Sequence, residues 1–527
     1  MKAAGEVMHR LVRRRQIDFR EFYRRFPLHP FLLAAYPIVG LLAYNVEQVY
    51  AREAAVPLIL SLSITALAFV ALWRLFKDWQ LAGLLTSMVV VWFFFYGRLY
   101  ALIKGISLFG FVIGRHRYLL IAWSFLIVAA ALWLLKRKRI YPELTRSLNF
   151  FAAILFCLPL FQIGAFYVRN LSPPSALDGD TVEPMIAWTE NTSPPDIYYI
   201  VLDGYQRADV QESVFDIDIS PFLEGLQEMG FYVANCAQSN YTRTILSITS
   251  TFNMDYLDTF KSDISPDEST SWLLPYYRHS FVRQQLEQLG YKTVVFKNPW
   301  TKLLWEDATI VYRSSGTALL SPFEYMFLRT TIVRAYLDLR TARNLHLIDF
   351  DNYEDTRYAL EQLFKVPEIP GPKFVFAHLV IPHSPFVFGP NGEKVEIPYD
   401  ADAGNIYTEA DGKRGHTYAV IYINKMMLEI LPTIIQNSET PPIVIVSADH
   451  GSPKGGVDNS VRILAAYYAP AARSQFYPTI TPVNVFRILF DTYFNTDFGL
   501  LPDRSYFSAQ GQYFNFLEIP NECQAGE

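Results

Sequence analysis

Five apolar runs punctuate the first third of the chain, at roughly 27–46, 54–73, 81–96, 118–135 and 148–168. Each approaches the ~17–25 residues that cross about 30 Å of hydrocarbon, where every backbone polar group must be bonded inside the helix. Charged residues are confined to the joints. His29 and Arg98 sit at the margins of the first and third runs, where their polar ends must snorkel. The pattern predicts a five-helix transmembrane domain over 1–169 rather than a soluble bundle. The stretch 106–113 is apolar but too short to span, so it is expected to lie in the interface.

After residue 169 the pattern changes. Residues 170–195 are rich in Pro, Ser and acidic side chains and lack periodicity, which predicts a linker. Beyond it, short continuous runs of Val, Ile, Phe and Tyr at 196–202, 231–235, 292–296, 373–377 and 443–447 read as strands. Amphipathic stretches at 220–229, 280–289, 353–364 and 419–435 read as helices between them. This alternation predicts an α/β domain over 196–527 with a mostly parallel central sheet covered on both faces.

Charge separates the same two parts. Residues 1–170 carry 21 Lys/Arg against 7 Asp/Glu, a net of +14, and residues 171–527 carry 25 against 44, a net of −19. An acidic second part argues against nucleic acid as a partner. Within the first part, the N-terminal arm and the second and fourth joints hold 15 Lys/Arg, and the first and third joints hold 4. That bias places the N-terminus in the cytoplasm and, after five crossings, the second domain outside. The basic arm precedes no small-residue cleavage site, so the first helix reads as an anchor. Three cysteines make no disulfide framework and no zinc-type cluster.

Chemistry collects where strands are expected to end, the location at which open α/β sheets place their sites. Asp203 ends the run YIVLD, His378 and His383 lie in FVFAHLVIPHSP, and Asp449 and His450 end IVIVSADHG. Two carboxylates with an imidazole suit zinc or manganese. In SNYTRTILSITSTF the pattern turns helical after Asn240. A Thr at that helix start would face free N–H groups that favour a phosphate.

A strand ending in Asp, a Thr-x-x-Ser at a helix start, a His-x4-His and a late Asp-His-Gly resemble the alkaline phosphatase superfamily. Within it the chain is most similar to the membrane sulfatase-like branch of phosphoethanolamine transferases and lipoteichoic acid synthases. Those proteins also place five transmembrane helices before an extracytoplasmic catalytic domain. The resemblance implies that Thr244 is the nucleophile, with Thr242 the neighbouring alternative. It implies a metal site of Asp203, Thr244, Asp449 and His450, and a His383 that contacts the phosphoryl group or protonates the leaving alcohol. His378, Lys454 and Trp305 become substrate-binding candidates. Three departures stand against the family pattern: Asp203 where Glu is frequent, no further His over 451–470, and none of the transferases' disulfide-stabilised shape, only Cys236 and Cys523 being able to lie outside.

The leading expectation is a membrane-anchored metal-dependent phosphotransferase. It would move a phosphoethanolamine or glycerol phosphate type head group from a phospholipid through phospho-Thr244 to an envelope glycan or lipid. The alternatives are a phosphodiester hydrolase and a silent envelope scaffold. Sulfate ester hydrolysis is disfavoured, because Cys236 is followed by Ala237-Gln238-Ser239 and not by the motif that yields formylglycine.

Overall fold

The computed structural model describes residues 26–108, 111–112, 114–169, 185–188, 193–261, 263–314, 320–338, 352–398 and 407–523. The basic N-terminal arm and most of the expected linker lie outside these residues. Two compact units emerge: Met1–Leu171 with Ala318–Ile348, and Ser172–Thr317 with Asp349–Glu527.

The first unit contains α1 (His29–Tyr44), α2 (Ala55–Phe76), α3 (Trp79–Phe94), α4 (Tyr96–Ile103), α5 (His116–Leu135) and α6 (Tyr141–Arg169). The helices α2, α5 and α6 are long and apolar enough to cross a membrane, and α3 with α4 qualifies as one span bent by 45°. The 16 residues of α1 reach about 24 Å, short of a full crossing. Leu67, Ile121 and Phe161 are more than 70% exposed on these apolar helices, as lipid-facing side chains would be. The protein is a membrane protein.

Sequence and fold differ at two places in this unit. His29 does not snorkel: it is fully buried, and its Nδ1 meets Ser87 Oγ at 2.5 Å. Asn149 on α6 caps the same helix start, accepting from the Leu28 and His29 amides at 2.9 Å each. The bundle thus supplies polar partners that a lone helix at the interface would lack. The stretch Ala318–Ile348, read from sequence as part of the second domain, clusters with the membrane helices. Its helix Pro322–Thr330 starts in a Ser321/Glu324 capping box and buries Phe323 and Phe327 in a cluster with Leu33, Ile38, Val90, Phe94 and Ala152. Within the stretch expected at the interface, Ser107–Leu108 pairs antiparallel with Phe111–Val112.

The second unit is built on a seven-stranded sheet of β1 (Ile197–Leu202), β2 (Tyr232–Val233), β3 (Lys292–Phe296), β4 (Ile310–Tyr312), β5 (Lys373–Leu379), β6 (Ile443–Ser447) and β7 (Ala465–Tyr468). The order is β2-β7-β6-β1-β5-β3-β4. The five strands β6-β1-β5-β3-β4 are parallel, and β7 runs antiparallel to both β6 and β2. The strands β1, β5 and β6 are buried along their whole length, which is why they read as continuous apolar runs. Helices α7 (Thr244–Asn253) and α8 (Glu409–Asn437) position the site. By length and hydropathy alone α8 would pass as a membrane span. Instead its Ala419, Ile423, Met427 and Ile430 belong to the core of the sheet domain.

Cys236 and Cys523 form a disulfide across 287 residues of sequence. Trp305, a substrate-contact candidate from sequence, is 1% exposed and packs against Phe252, Phe374 and Phe376, with the Arg283 guanidinium 4.8 Å from its ring centroid. It is a core side chain, because the turn after β3 folds the second tryptophan of the loop inward.

Candidate active site

Three central strands deliver the polar groups to one edge. Asp203 follows β1, His378 sits at the end of β5 in register with Val201, and Asp449 and His450 follow β6. The turn after β1 needs Gly204, whose φ of +73° suits glycine; its amide donates to Asp449 Oδ1 at 3.3 Å. Gly451 is demanded by space, since a Cβ there would stand 2.2 Å from the Asn459 carbonyl oxygen.

The ligand atoms of Asp203, Asp449 and His450 lie within 4.8 Å of one another, and the first two residues are buried. His450 Nε2 is 3.6 Å from Asp203 Oδ1 and 3.5 Å from Asp449 Oδ2. Those two carboxylate oxygens are buried without a hydrogen-bond partner. Two buried anionic oxygens left unsatisfied are costly unless a cation completes them. The residues fit a divalent metal ion. No other such cluster occurs among the described residues.

Electrostatics agree. Burial acts to raise the Asp203 carboxyl, but the imidazoles of His383, His378 and His450 outweigh it and hold it below the ordinary range. Burial acts to lower the His450 imidazole, and Asp449 and Asp203 outweigh it and raise it. The pocket is built for positive charge.

Thr244 begins α7 with its Oγ1 3.4 Å from His450 Nε2. The loop before it is pinned from several directions. Asn240 donates to the Arg504 carbonyl and accepts from the Val483 amide, both at 2.9 Å, and the Ser239 amide donates to the Val461 carbonyl at 2.7 Å. Thr242 is nearly buried, and the Ser508 amide donates to its Oγ1 at 3.4 Å.

His378 is not at the cleft. Its Nε2 meets Asp203 Oδ2 at 3.2 Å while Asn298 donates to its Nδ1 at 3.1 Å, so it orients the carboxylate from beneath. This corrects its reading as a substrate contact: β5 is paired on both sides, and its end faces the adjacent β1 carboxylate. His383 and His450 lie with ring centroids 6.2 Å apart, and Nδ1 of His383 is held by the Ser384 carbonyl.

His383 and His450 open onto a cleft of about 570 Å³, lined also by Thr242, Arg243, His416 and Lys454. Lys454, a substrate-contact candidate from sequence, is thus on the wall, with Nζ 5.0 Å from the Phe215 ring centroid. Three side chains escaped the sequence reading. Arg243 precedes Thr244 directly and could have been marked as a cation beside a candidate nucleophile. Trp300 lies with its ring centroid 6.3 Å from that of His383, five residues before the tryptophan that sequence favoured. His416 stacks on Phe215 with centroids 4.0 Å apart, and its Nε2 meets Gln211 Oε1 at 3.0 Å. Burial, helped by nearby Lys454, lowers its pKa to about 3. No motif announces it.

The family model described as Sulfatase matches residues 195–482. No curated protein sequence matches the chain. Similar solved structures include the zinc complex of the C-terminal periplasmic domain of EcEptC from Escherichia coli, at 11% identity and a TM-score of 0.43, covering 64% of this chain and 96% of that one. The integral membrane lipooligosaccharide phosphoethanolamine transferase A (EptA) from Neisseria meningitidis is 12% identical with a TM-score of 0.39, covering 90% and 95%. The lipoteichoic acid synthase LtaP from Listeria monocytogenes is 12% identical with a TM-score of 0.36, covering 60% and 77%.

Proposed function

The chain belongs to the sulfatase family, and we propose that it is a membrane-anchored, metal-dependent phosphotransferase that works through phospho-Thr244. It takes a phospho-alcohol head group, of the phosphoethanolamine or glycerol phosphate type, from a membrane phospholipid and passes it to an envelope glycan or lipid. The observation that carries the reading is the Thr244 hydroxyl at a helix start, 3.4 Å from His450 beside two carboxylate oxygens that lack partners. A sulfatase of the formylglycine type needs a cysteine, and Cys236 is held in a disulfide.

Asp203, Asp449, His450 and Thr244 would hold the metal, zinc or manganese. When bound, it supplies positive charge that acidifies a hydroxyl and neutralises phosphate. In the first step Thr244 Oγ1, its proton released to water before the donor binds and not regained within the cycle, forms a bond to phosphorus as the bond from phosphorus to the diacylglycerol oxygen breaks. His383, its Nδ1 tied to the Ser384 carbonyl and its residue on the cleft wall, gives a proton from Nε2 to the departing oxygen. In the second step the acceptor hydroxyl takes the phosphoryl group from Thr244, and its proton returns to His383. The N–H groups of the first turn of α7, with Arg243 and Lys454 on the cleft wall, offset the charge of the phosphoryl oxygens.

An extracytoplasmic catalytic unit is supported by two observations. The helix Pro322–Thr330 packs with α4, α1 and the Ala51–Ala54 turn, so it meets the two joints poor in Lys and Arg. The Cys236–Cys523 disulfide suits an oxidising compartment.

The test is to incubate the purified full-length protein with donor phospholipid, quench, and weigh the peptide covering 239–261. A phosphoryl-alcohol adduct should appear in the native protein and in Thr242→Ala, and vanish in Thr244→Ala. An adduct on Thr242, or turnover that survives Thr244→Ala, defeats the proposal. Release of the free phospho-alcohol with and without an acceptor separates transfer from hydrolysis.

A further inference from the structure

The segment Ala318–Ile348 is bounded in sequence by the catalytic unit on both sides, yet it folds with the membrane helices. Three kinds of contact hold it there. Phe323 and Phe327 are buried among residues of α1, α3 and α6. The Ile332 amide donates to the Phe93 carbonyl at 2.8 Å, and Gly97 lies so close beneath the segment that a Cβ would stand 2.1 Å from the Arg329 carbonyl oxygen. The third is a polar node. Asp338 accepts from His116 Nε2 at 3.0 Å and from Arg334 Nε at 3.3 Å, and buried Arg334 donates to the Gly97 carbonyl at 3.1 Å. Tyr96 Oη meets the other His116 nitrogen at 2.8 Å, and Tyr100 stacks on the His116 ring. The Arg334 guanidinium lies 4.7 Å from the Tyr100 ring centroid.

We propose that this surface of α3, α4 and the start of α5 is a docking site whose partner is residues 320–338 of the same chain. It holds the catalytic polypeptide to the membrane unit independently of the 170–195 linker. A covalent linker alone needs no buried arginine, no two-sided histidine and no glycine shaped to a foreign backbone. The combination is that of a specific interface: buried aromatic anchors, a buried arginine paired with a partly buried carboxylate, and close backbone contact.

The proposal is tested with full-length protein in lipid nanodiscs, which leave both faces open, carrying a site-specific protease sequence inserted between residues 176 and 177. After cleavage the C-terminal fragment should co-elute with the nanodisc. Gly97→Val alters only the membrane side, and the double variant Arg334→Ala/Asp338→Ala alters only the segment. In each, the released fraction should rise on the order of tenfold, as expected for an interface losing a partly buried charged pair or a close contact. Protease resistance of the released fragment and its intact Cys236–Cys523 bond check that the catalytic unit stays folded. Release from the native protein after cleavage overturns the proposal. Equal retention of native protein and both variants overturns it as well, since the fragment would then adhere by some other surface.

Discussion

Two polar clusters in this chain, one buried and one partly so, share ingredients but not their state of completion. In the membrane unit, Asp338 faces His116, Arg334 and Arg329; in the catalytic unit, Asp203 faces His378, His383 and His450. Burial pushes both carboxyls up, and in both the neighbouring cations win. The Asp338 oxygens are bonded to cationic partners on the chain, whereas Asp203 Oδ1 and Asp449 Oδ2 accept no hydrogen bond and have His450 Nε2 no nearer than 3.5 Å. A closed circuit holds parts together. An open one, where the fold has left anionic oxygens buried and unanswered, marks the place where something from outside must bind.

The comparison is tested most severely at the two aspartates. Asp449→Ala should lower bound metal and turnover together, by roughly three orders of magnitude or more for the latter, as when a group serving transition-state charge is removed. Asp338→Asn should leave metal content per folded molecule unchanged and loosen the docked segment instead. Elemental analysis of both purified variants decides; full metal occupancy in Asp449→Ala would sink the site assignment.

The two tryptophans sharpen the same distinction between packing and chemistry. Trp305→Ala should destabilise the catalytic unit by about 3–5 kcal/mol, the usual cost of deleting a buried indole. Trp300→Ala should change stability little and alter the Michaelis constant. Thermal unfolding beside steady-state kinetics separates them, and a stable Trp305→Ala variant with impaired substrate binding would reverse the two roles.

His416 offers a pH test away from the metal cluster. Its folded pKa is lowered to about 3 from the ordinary 6.5. The unfolded chain therefore binds the extra proton first as pH falls. The stability tied to the neutral ring is complete above about pH 6.5 and declines toward pH 3, with a slope approaching 1.4 kcal/mol per pH unit. His416→Gln should flatten that slope in denaturant titrations at several pH values. An unchanged slope would show that the ring is not the group responsible.

The smallest effect is expected at His378. A residue that orients a ligand rather than binding metal should cost 10–100-fold in metal affinity when replaced, as His378→Ala. Asparagine, able to donate to Asp203, should restore part of it.

Much of this arrangement was legible because the strands that carry it are buried on both faces. Continuous apolar runs end abruptly, so Asp203 and the Asp449-His450 pair stand out at their ends. The strands β4 and β7 were missed for the complementary reason. Ile310–Tyr312 is three residues long, and Ala465–Tyr468 is half alanine, so neither makes a distinct run. His378 and Trp305 were misplaced because sequence gives distance along the chain and not the side to which a ring turns. The segment 318–348 was invisible for a deeper reason. Its helix has one apolar face like any surface helix, and the buried residues it meets lie 171 or more positions before Phe323.

The Cys236–Cys523 bond makes residues 236–523 a closed ring, and the docked segment is one arc of it. A chain made from its N-terminus emerges with the membrane helices first, the arc next and Cys523 near the last. The arc is therefore available to its berth before the ring can be sealed. Assembly has an order written into it: the rope can be moored before the knot is tied, and once tied, any single cut within the ring leaves every piece of it joined by covalent bonds.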